Sequence, residues 1–454
     1  MRPHAPAPID RESGFSIHEL FFSTTDRAGV IRAGNDVFVR VSGYRCEDLI
    51  GAPHNIIRHP HMPRAAFWLL WDYLLAGKAV AAYVKNMSAD GAYYWVLAVV
   101  APIAGGYLSI RLKPSTSAKD RFEALYAQLH QIESRGTGSP DLRAKALEES
   151  RAALFAAVKQ LGHDSYDGLM QEILLGEVRS RKQLLSAARN DASRRQGGWV
   201  ADAAPGPLQR HCRSLARQVR ELLDSLESFL SLEGEMAENV TFIRNLCGGL
   251  HRLSIDAQVQ AARLGSEGGA LKVIAAQMKD CARAITESAL EICDRMSKVM
   301  PVLKGAAAQI ATTDLSVEMM TDFLAEPEGI SRGARDERRA RPEIGQLAEV
   351  VSNNLDGTLE RVRAATDHVN DLERRLERFV GEIRTLEMLR VSGKGEAIHC
   401  RNASAVSSVF EEVFARTRVA RDKLLFLVGL VSRARIKPPD AETIRAGIAA
   451  LRAA

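Results

Sequence analysis

The sequence has no apolar run approaching the ~20 residues that a membrane-crossing helix needs; its longest apolar stretches are residues 96–103 and 424–431. Its opening segment, MRPHAPAPIDRESG, lacks the apolar core of a secretory signal. Six cysteines, at 46, 212, 247, 281, 293 and 400, form no C-x-x-C pair and have no histidine at a metal-ligand spacing. That usage argues against a disulfide framework and against structural zinc. Charge of one sign is also scarce: 61 basic and 56 acidic residues leave a net +5, spread along the chain. Such a balance describes solvated helical surface, not a nucleic-acid footprint. There is no Walker-type loop, paired-glycine ATP site, phospho-acceptor histidine box, GGDEF or EAL motif, or nucleophile elbow, so no motif points to an enzyme. The expectation is a cytoplasmic protein whose input arises inside the cell or comes through a membrane-embedded partner.

What is present divides in two. With 454 residues, 46% of them apolar, the chain has room for two to four domains. After an extension over 1–18, residues 19–115 are rich in Gly, Pro and aromatics, with turn signals at Asp26-Arg27-Ala28-Gly29 and Ser88-Ala89-Asp90-Gly91. This predicts an α+β domain. Beyond Pro114 the texture shifts to Ala, Leu, Glu and Arg, which predicts an all-α region. Residues 116–195 read as a connector of two to four helices, and 196–207 as a linker. From Leu208 to Leu264 a seam stepping by four and three stays apolar except at Glu233 and Ser254, the mark of a heptad helix. A second seam, Ile344 to Leu386, repeats it 136 residues later in phase. The seams end at Gly265-Ser266-Glu267-Gly268-Gly269 and at Gly393-Lys394-Gly395, each followed by a returning amphipathic segment. We expect long antiparallel hairpins over 208–325 and 343–435, joined by a charged loop at 326–342 and followed by a tail at 436–454. Together they would form a four-helix coiled-coil bundle with pseudo-two-fold symmetry, from a monomer and not a homodimer.

Within the first domain, Gly34-Asn35-Asp36-Val37-Phe38, Val41-Ser42-Gly43-Tyr44, His54-Asn55-Ile56-Ile57-Arg58-His59-Pro60-His61-Met62-Pro63, Val84-Lys85-Asn86, Tyr94-Trp95-Val96 and Gly106-Tyr107-Leu108-Ser109-Ile110-Arg111 occur in order. This stretch resembles the PAS domain of bacterial aerotaxis receptors. The resemblance implies non-covalent FAD and a readout of redox state or oxygen-linked electron flow. It also implies a pocket formed by Asn35, His54, Asn55, Arg58, His59, His61, Asn86 and Trp95. Arg58 offers a planar fork of donors to a phosphate or a ring carbonyl, and Asn86 offers both a donor and an acceptor to a ring edge. Where that family usually has Asp in Arg-His-Pro-Asp-Met-Pro, this chain has His61. Haem through His59 or His61, and a PAS domain that binds nothing, remain open readings of the same residues.

Further on, residues 253–275 read LSIDAQVQAARLGSEGGALKVIA and resemble the hairpin tip of the methyl-accepting chemotaxis proteins, the chemoreceptors. The resemblance implies a tight turn at Gly265 and Gly268, with Gln260 and Arg263 at the tip and Arg263 bracing across it. It also implies the chemotaxis coupling protein, a histidine kinase and other chemoreceptors as partners. Gln260 and Ser266 replace the two glutamates usual there, and Gly248 and Arg252 replace apolar docking residues; both changes weaken that expectation. The competing class is a scaffold that binds signalling partners without a cofactor.

Overall fold

The computed structural model describes residues 6–136, 139–195, 207–325, 341–400, 404–433 and 441–453. The expected linker up to 206, the charged loop at 326–340 and the start of the tail at 436–440 lie outside the described residues. Five strands, β1 (Leu20–Asp26), β2 (Ile31–Gly34), β3 (Val80–Met87), β4 (Tyr93–Ile103) and β5 (Gly106–Leu112), form one antiparallel sheet in the order β2-β1-β5-β4-β3. Between β2 and β3 lie helices α1 (Asp36–Ser42), α2 (Cys46–Leu49) and α3 (Arg64–Leu75), with a 3-10 turn at His54–Ile57. This is the expected α+β domain.

The middle strands carry almost unbroken apolar sequence because both faces of the sheet are covered. On the outer face, Tyr83 and Trp95 meet Phe122 and Tyr126 of α4 (Ala118–Ser134). The connector continues as α5 (Pro140–Gln160) and α6 (Tyr166–Arg195). Glu133 of α4 accepts from the first two backbone N–H groups of α3, Arg64 at 2.6 Å and Ala65 at 2.9 Å. These are donors that a helix start leaves unpaired.

The remaining helices are α7 (Pro207–Leu230), α8 (Glu233–Arg263), α9 (Gly269–Ala325), α10 (Arg341–Ala397), α11 (Ser404–Arg433) and α12 (Ala441–Ala453). The seams are buried as the heptads require: Cys212, Val219, Leu226 and Phe229 in the first, and Ile344 through Leu386 in the second. Two boundaries differ from the sequence expectation. The first long helix breaks at Ser231 and Leu232, beside the polar seam position Glu233. The second passes straight through Gly393 and Gly395 and ends at Ala397. Gly393 is a packing residue: a Cβ there would stand 2.5 Å from the Phe410 ring. The expected tail contains α12, with Ile444 and Ile448 buried. No helix among the described residues is long and apolar enough to cross a membrane.

The chain divides into two compact units that cut across the hairpins. One comprises Met1–Leu223, Gly305–Leu359 and Pro439–Ala454; the other Asp224–Lys304 and Glu360–Pro438. In the first, the sheet and connector pack directly on long helices. Phe22 of β1 meets Phe323 of α9 edge to face at 5.1 Å, and the Ala104 N–H donates to Glu349 of α10 at 3.0 Å. In the second unit four segments are linked in sequence around a ring. Lys304 of α9 pairs with Glu233 of α8, Arg295 of α9 with Asp371 of α10, Arg421 of α11 with Glu387 of α10, and Lys423 of α11 lies over Phe242 of α8.

Candidate functional site

Strand alternation builds one wall of a cavity of about 270 Å³. Successive strand residues face opposite sides, so Ser23 and Thr25 of β1, Tyr107, Ser109 and Arg111 of β5, Ala98 and Val100 of β4, and Val84 and Asn86 of β3 all share the inner face and line it. The register is consistent with this, since Ser23 and Val100 both pair with Ser109 and Ala98 pairs with Arg111. The opposite wall is a helical stripe on α3, Phe67, Leu70, Trp71 and Leu74, at the spacing of one helix face. The 53–58 segment closes one side with His54, Asn55 and Arg58.

The polar groups fall at two places. Arg58 donates Nη2 to the Met62 carbonyl at 2.8 Å and lies 4.1 Å over the Phe67 ring. Its backbone forms an isolated antiparallel bridge with Asn86. The Asn86 side chain is buried against the cavity. Across the cavity, Arg111 is 2% exposed and donates Nη2 to Ser23 Oγ at 3.0 Å and to His54 Nε2 at 2.7 Å. His54 must be neutral to accept there. Burial, with the Arg111 charge adding to it, holds its pKa down to about 3, while burial lowers that of Arg111 to about 10. Ser109 Oγ, also on this wall, is buried without a hydrogen-bond partner.

Of the residues expected to form the pocket, His54, Asn55, Arg58 and Asn86 come together here. Asn35 does not reach the cavity. It caps α1, its Oδ1 accepting from the Phe38 and Phe22 N–H groups at 3.3 and 3.2 Å while Nδ2 donates to the Leu20 carbonyl. Trp95 has the other strand parity and faces α4, where it lines an outer groove with His61, Lys85 and His130. His59 is buried beside His61, ring centroids 4.9 Å apart. Its Nδ1 accepts from the His61 N–H, and burial holds its pKa near 4. Neither His59 nor His61 lines the cavity. Among the described residues no cluster of three or more His, Cys, Asp or Glu could hold a metal ion. Ser23 and Arg111 also line the wall, beyond the pocket residues that the sequence predicts. The available signal was the Tyr107, Ser109, Arg111 alternation, which carries a charge into a strand otherwise apolar on its other face.

At the tip of the first hairpin, Gly265 adopts φ +60, and a Cβ on Gly268 would meet the Ala261 carbonyl at 2.7 Å. Both glycines are therefore required by the turn. Arg263 does not brace across it. Its Nη1 points back along its own helix toward Gln260 Oε1 at 3.5 Å, and the crossing contact is Lys272 Nζ donating to the Gly265 carbonyl at 2.9 Å.

Residues 32–107 match the family described as the PAS fold. Over 113 residues the chain is 42% identical to the aerotaxis receptor of Escherichia coli (strain K12), a stretch that is 24% of this chain and 22% of that protein. The chain thus spans about a fifth of the length of the curated relative it matches. Ser23 and Arg111 lie outside the residues matched to the PAS fold.

Proposed function

We propose that the chain is a non-enzymatic signal-transduction protein whose PAS cavity binds FAD and whose β1 carries the ligand's state into the long helices, in a chemotaxis or aerotaxis response. The observation that supports it most directly is the double duty of β1. Ser23 contacts Arg111 and His54 at the cavity, and Phe22, the next residue on the opposite face, packs on Phe323 of α9. A shift in the Ser23 contacts therefore moves a side chain seated on the output helix.

The residues present suit a flavin. The cavity pairs a flat aromatic and aliphatic wall with hydrogen-bonding groups at two edges, as planar ligands require. Arg58, Asn86, His54 and Arg111 would hold it. Bound there, the flavin would supply a change in charge and in donor and acceptor pattern on reduction. Asn86 can answer that change by turning its amide; because it sits on β3, bridged to Arg58, the turn reaches the loop that carries His59 and His61 on the outer side. The geometry favours flavin over haem, since neither His59 nor His61 lines the cavity and His54 Nε2 is already hydrogen-bonded.

The helices would act as a single-chain four-helix bundle whose alternative packings differ little in energy. The chemotaxis coupling protein and its kinase would be the partners. The test is an absorption spectrum of the purified chain before and after anaerobic reduction. Flavin bands that bleach, and that are lost in Asn86→Ala and Arg58→Ala, support the assignment; a colourless chain that gains no bands with added FAD refutes it. Copurification with the coupling protein tests the partner, and a monomeric sedimentation mass tests the single-chain bundle.

A further inference from the structure

We propose that Arg111 is the counter-charge of the cavity: a buried cation kept unpaired for a ligand that carries or acquires negative charge, and not a support of the fold. The inference rests on the flavin reading but makes a separate claim, about one residue and the sign of the charge it meets.

The hydrogen-bond partners of Arg111 are all uncharged. They are Ser23 Oγ, the neutral His54 Nε2 and, at 3.5 Å, the Ser109 carbonyl. The rings of Phe21 and Phe38 lie 5.5 Å from its guanidinium carbon, and aromatic faces compensate a cation less fully than a carboxylate does. Among the described residues it forms no ion pair with a carboxylate, and the nearby Tyr94 phenol, whose pKa burial raises, is uncharged.

Arg181 shows what this chain does with an arginine that holds structure. It is equally buried at 3% exposure, and it donates to both oxygens of Glu318, at 3.0 and 2.9 Å, and to the Ile17 and His18 carbonyls. A buried cation lacking such a partner is costly to the fold. That cost is offset once an anionic ligand enters. Nothing else in the wall needs Arg111, because Ser23 Oγ and His54 Nε2 stand 3.1 Å apart and can satisfy each other without it.

For a flavin the consequence is specific. Reduction by an external low-potential donor, dithionite in the test, adds two electrons and one solvent proton to the neutral ring and leaves it with one negative charge. Arg111 faces that charge in the reduced complex and only a dipole in the oxidised one, so it strengthens binding of the reduced form selectively and raises the midpoint potential.

The experiment uses the full chain with FAD and compares wild type with Arg111→Met and Arg111→Lys. It reads the dissociation constant of oxidised FAD, the midpoint potential and the melting temperature without ligand. Arg111→Met is expected to lose at least about tenfold in the preference for the reduced over the oxidised form, whatever it loses in binding either one. That loss lowers the midpoint by about 30 mV per tenfold. Arg111→Lys is expected to keep the potential. A potential unchanged in Arg111→Met overturns the inference and leaves the flavin reading standing. If wild type binds no flavin, that reading falls, and the ligand-free melting temperature decides: a rise in Arg111→Met supports a charge held for another anion, and a fall makes Arg111 structural and overturns the inference. Should Arg111→Met fail to fold, Arg111→Gln against Arg111→Lys decides by the same readouts.

Discussion

Glu177 of α6 is fully buried and accepts five hydrogen bonds, four from the strand-to-helix junction that follows β5 and one from Tyr83 of β3. Its Oε1 takes the Tyr83 hydroxyl at 2.6 Å, the Thr116 hydroxyl at 2.8 Å and the Thr116 N–H at 3.2 Å; its Oε2 takes the Ser115 N–H at 2.6 Å and the Ser115 hydroxyl at 2.8 Å. One carboxylate thus ties β3, the start of α4 and α6 together. In Glu177→Ala the hydroxyls can partly re-pair, since Thr116 Oγ1 already lies 3.4 Å from Tyr83 Oη, but the two backbone N–H groups cannot. At about 1–3 kcal/mol for each stranded donor, the loss comes to about 3 kcal/mol after relaxation. Glu177→Gln keeps one oxygen and should lose about 1–2 kcal/mol by the same scale. Urea unfolding followed by tryptophan fluorescence is the assay, because Trp68, Trp71 and Trp95 all belong to the unit that contains Glu177. Tyr83→Phe alone, and combined with Glu177→Gln, should show coupling in a double-mutant cycle. A Glu177→Ala midpoint indistinguishable from wild type, with an unchanged slope, would show that this junction is not held by the carboxylate.

Asp314 of α9 is buried beside Arg220, Lys182 and Glu318, and burial outweighs the arginine and lifts its pKa to about 6. An unfolded aspartate titrates near 3.9. Between about pH 4 and 6 the folded chain therefore keeps a proton that the unfolded chain has lost, and stability falls as pH rises through that window. Asp314→Asn should be roughly 3 kcal/mol more stable than wild type at pH 8, with the gap closing toward pH 4; a gap that ignores pH in thermal melts refutes this. Arg181→Met takes the two-pronged partner from Glu318, leaving it Arg220 at 3.5 Å, and strands the Ile17 and His18 carbonyls; it should cost about 3 kcal/mol, read by the same fluorescence transition. Gly393→Ala should destabilise the second unit by about 1–3 kcal/mol through the Phe410 clash, whereas Gly395→Ala, with open space around its Cβ position, should stabilise its helix by up to about 1 kcal/mol. Circular dichroism melts of the two variants, moving in opposite directions, check both.

Local pattern settled the helices. The four-and-three spacing from Leu208 and from Ile344 predicts buried stripes, and Val362, Leu372, Leu376 and Phe379 are buried as that spacing requires. A heptad face is a property of a segment alone, so neighbours are not needed to read it. The change of texture after Pro114 likewise separates the α+β domain from the helices, and the backbone demand at Gly265 is written in the turn itself.

Only tertiary structure decided which expected pocket residues share a wall. Trp95 and Asn86 are near neighbours in the β3–β4 pair, yet strand parity and register send one toward α4 and the other into the cavity. Asn35 is used up capping α1, and Gly393 serves Phe410 instead of a turn. Arg111 could be named from sequence as a charge in a strand, but its lack of a carboxylate depends on what β1, β4 and the 53–58 segment bring beside it. Periodicity along a chain is fixed by bond geometry and survives without partners. The partner of a buried charge is fixed by segments far apart in sequence, and no single stretch of residues contains that information.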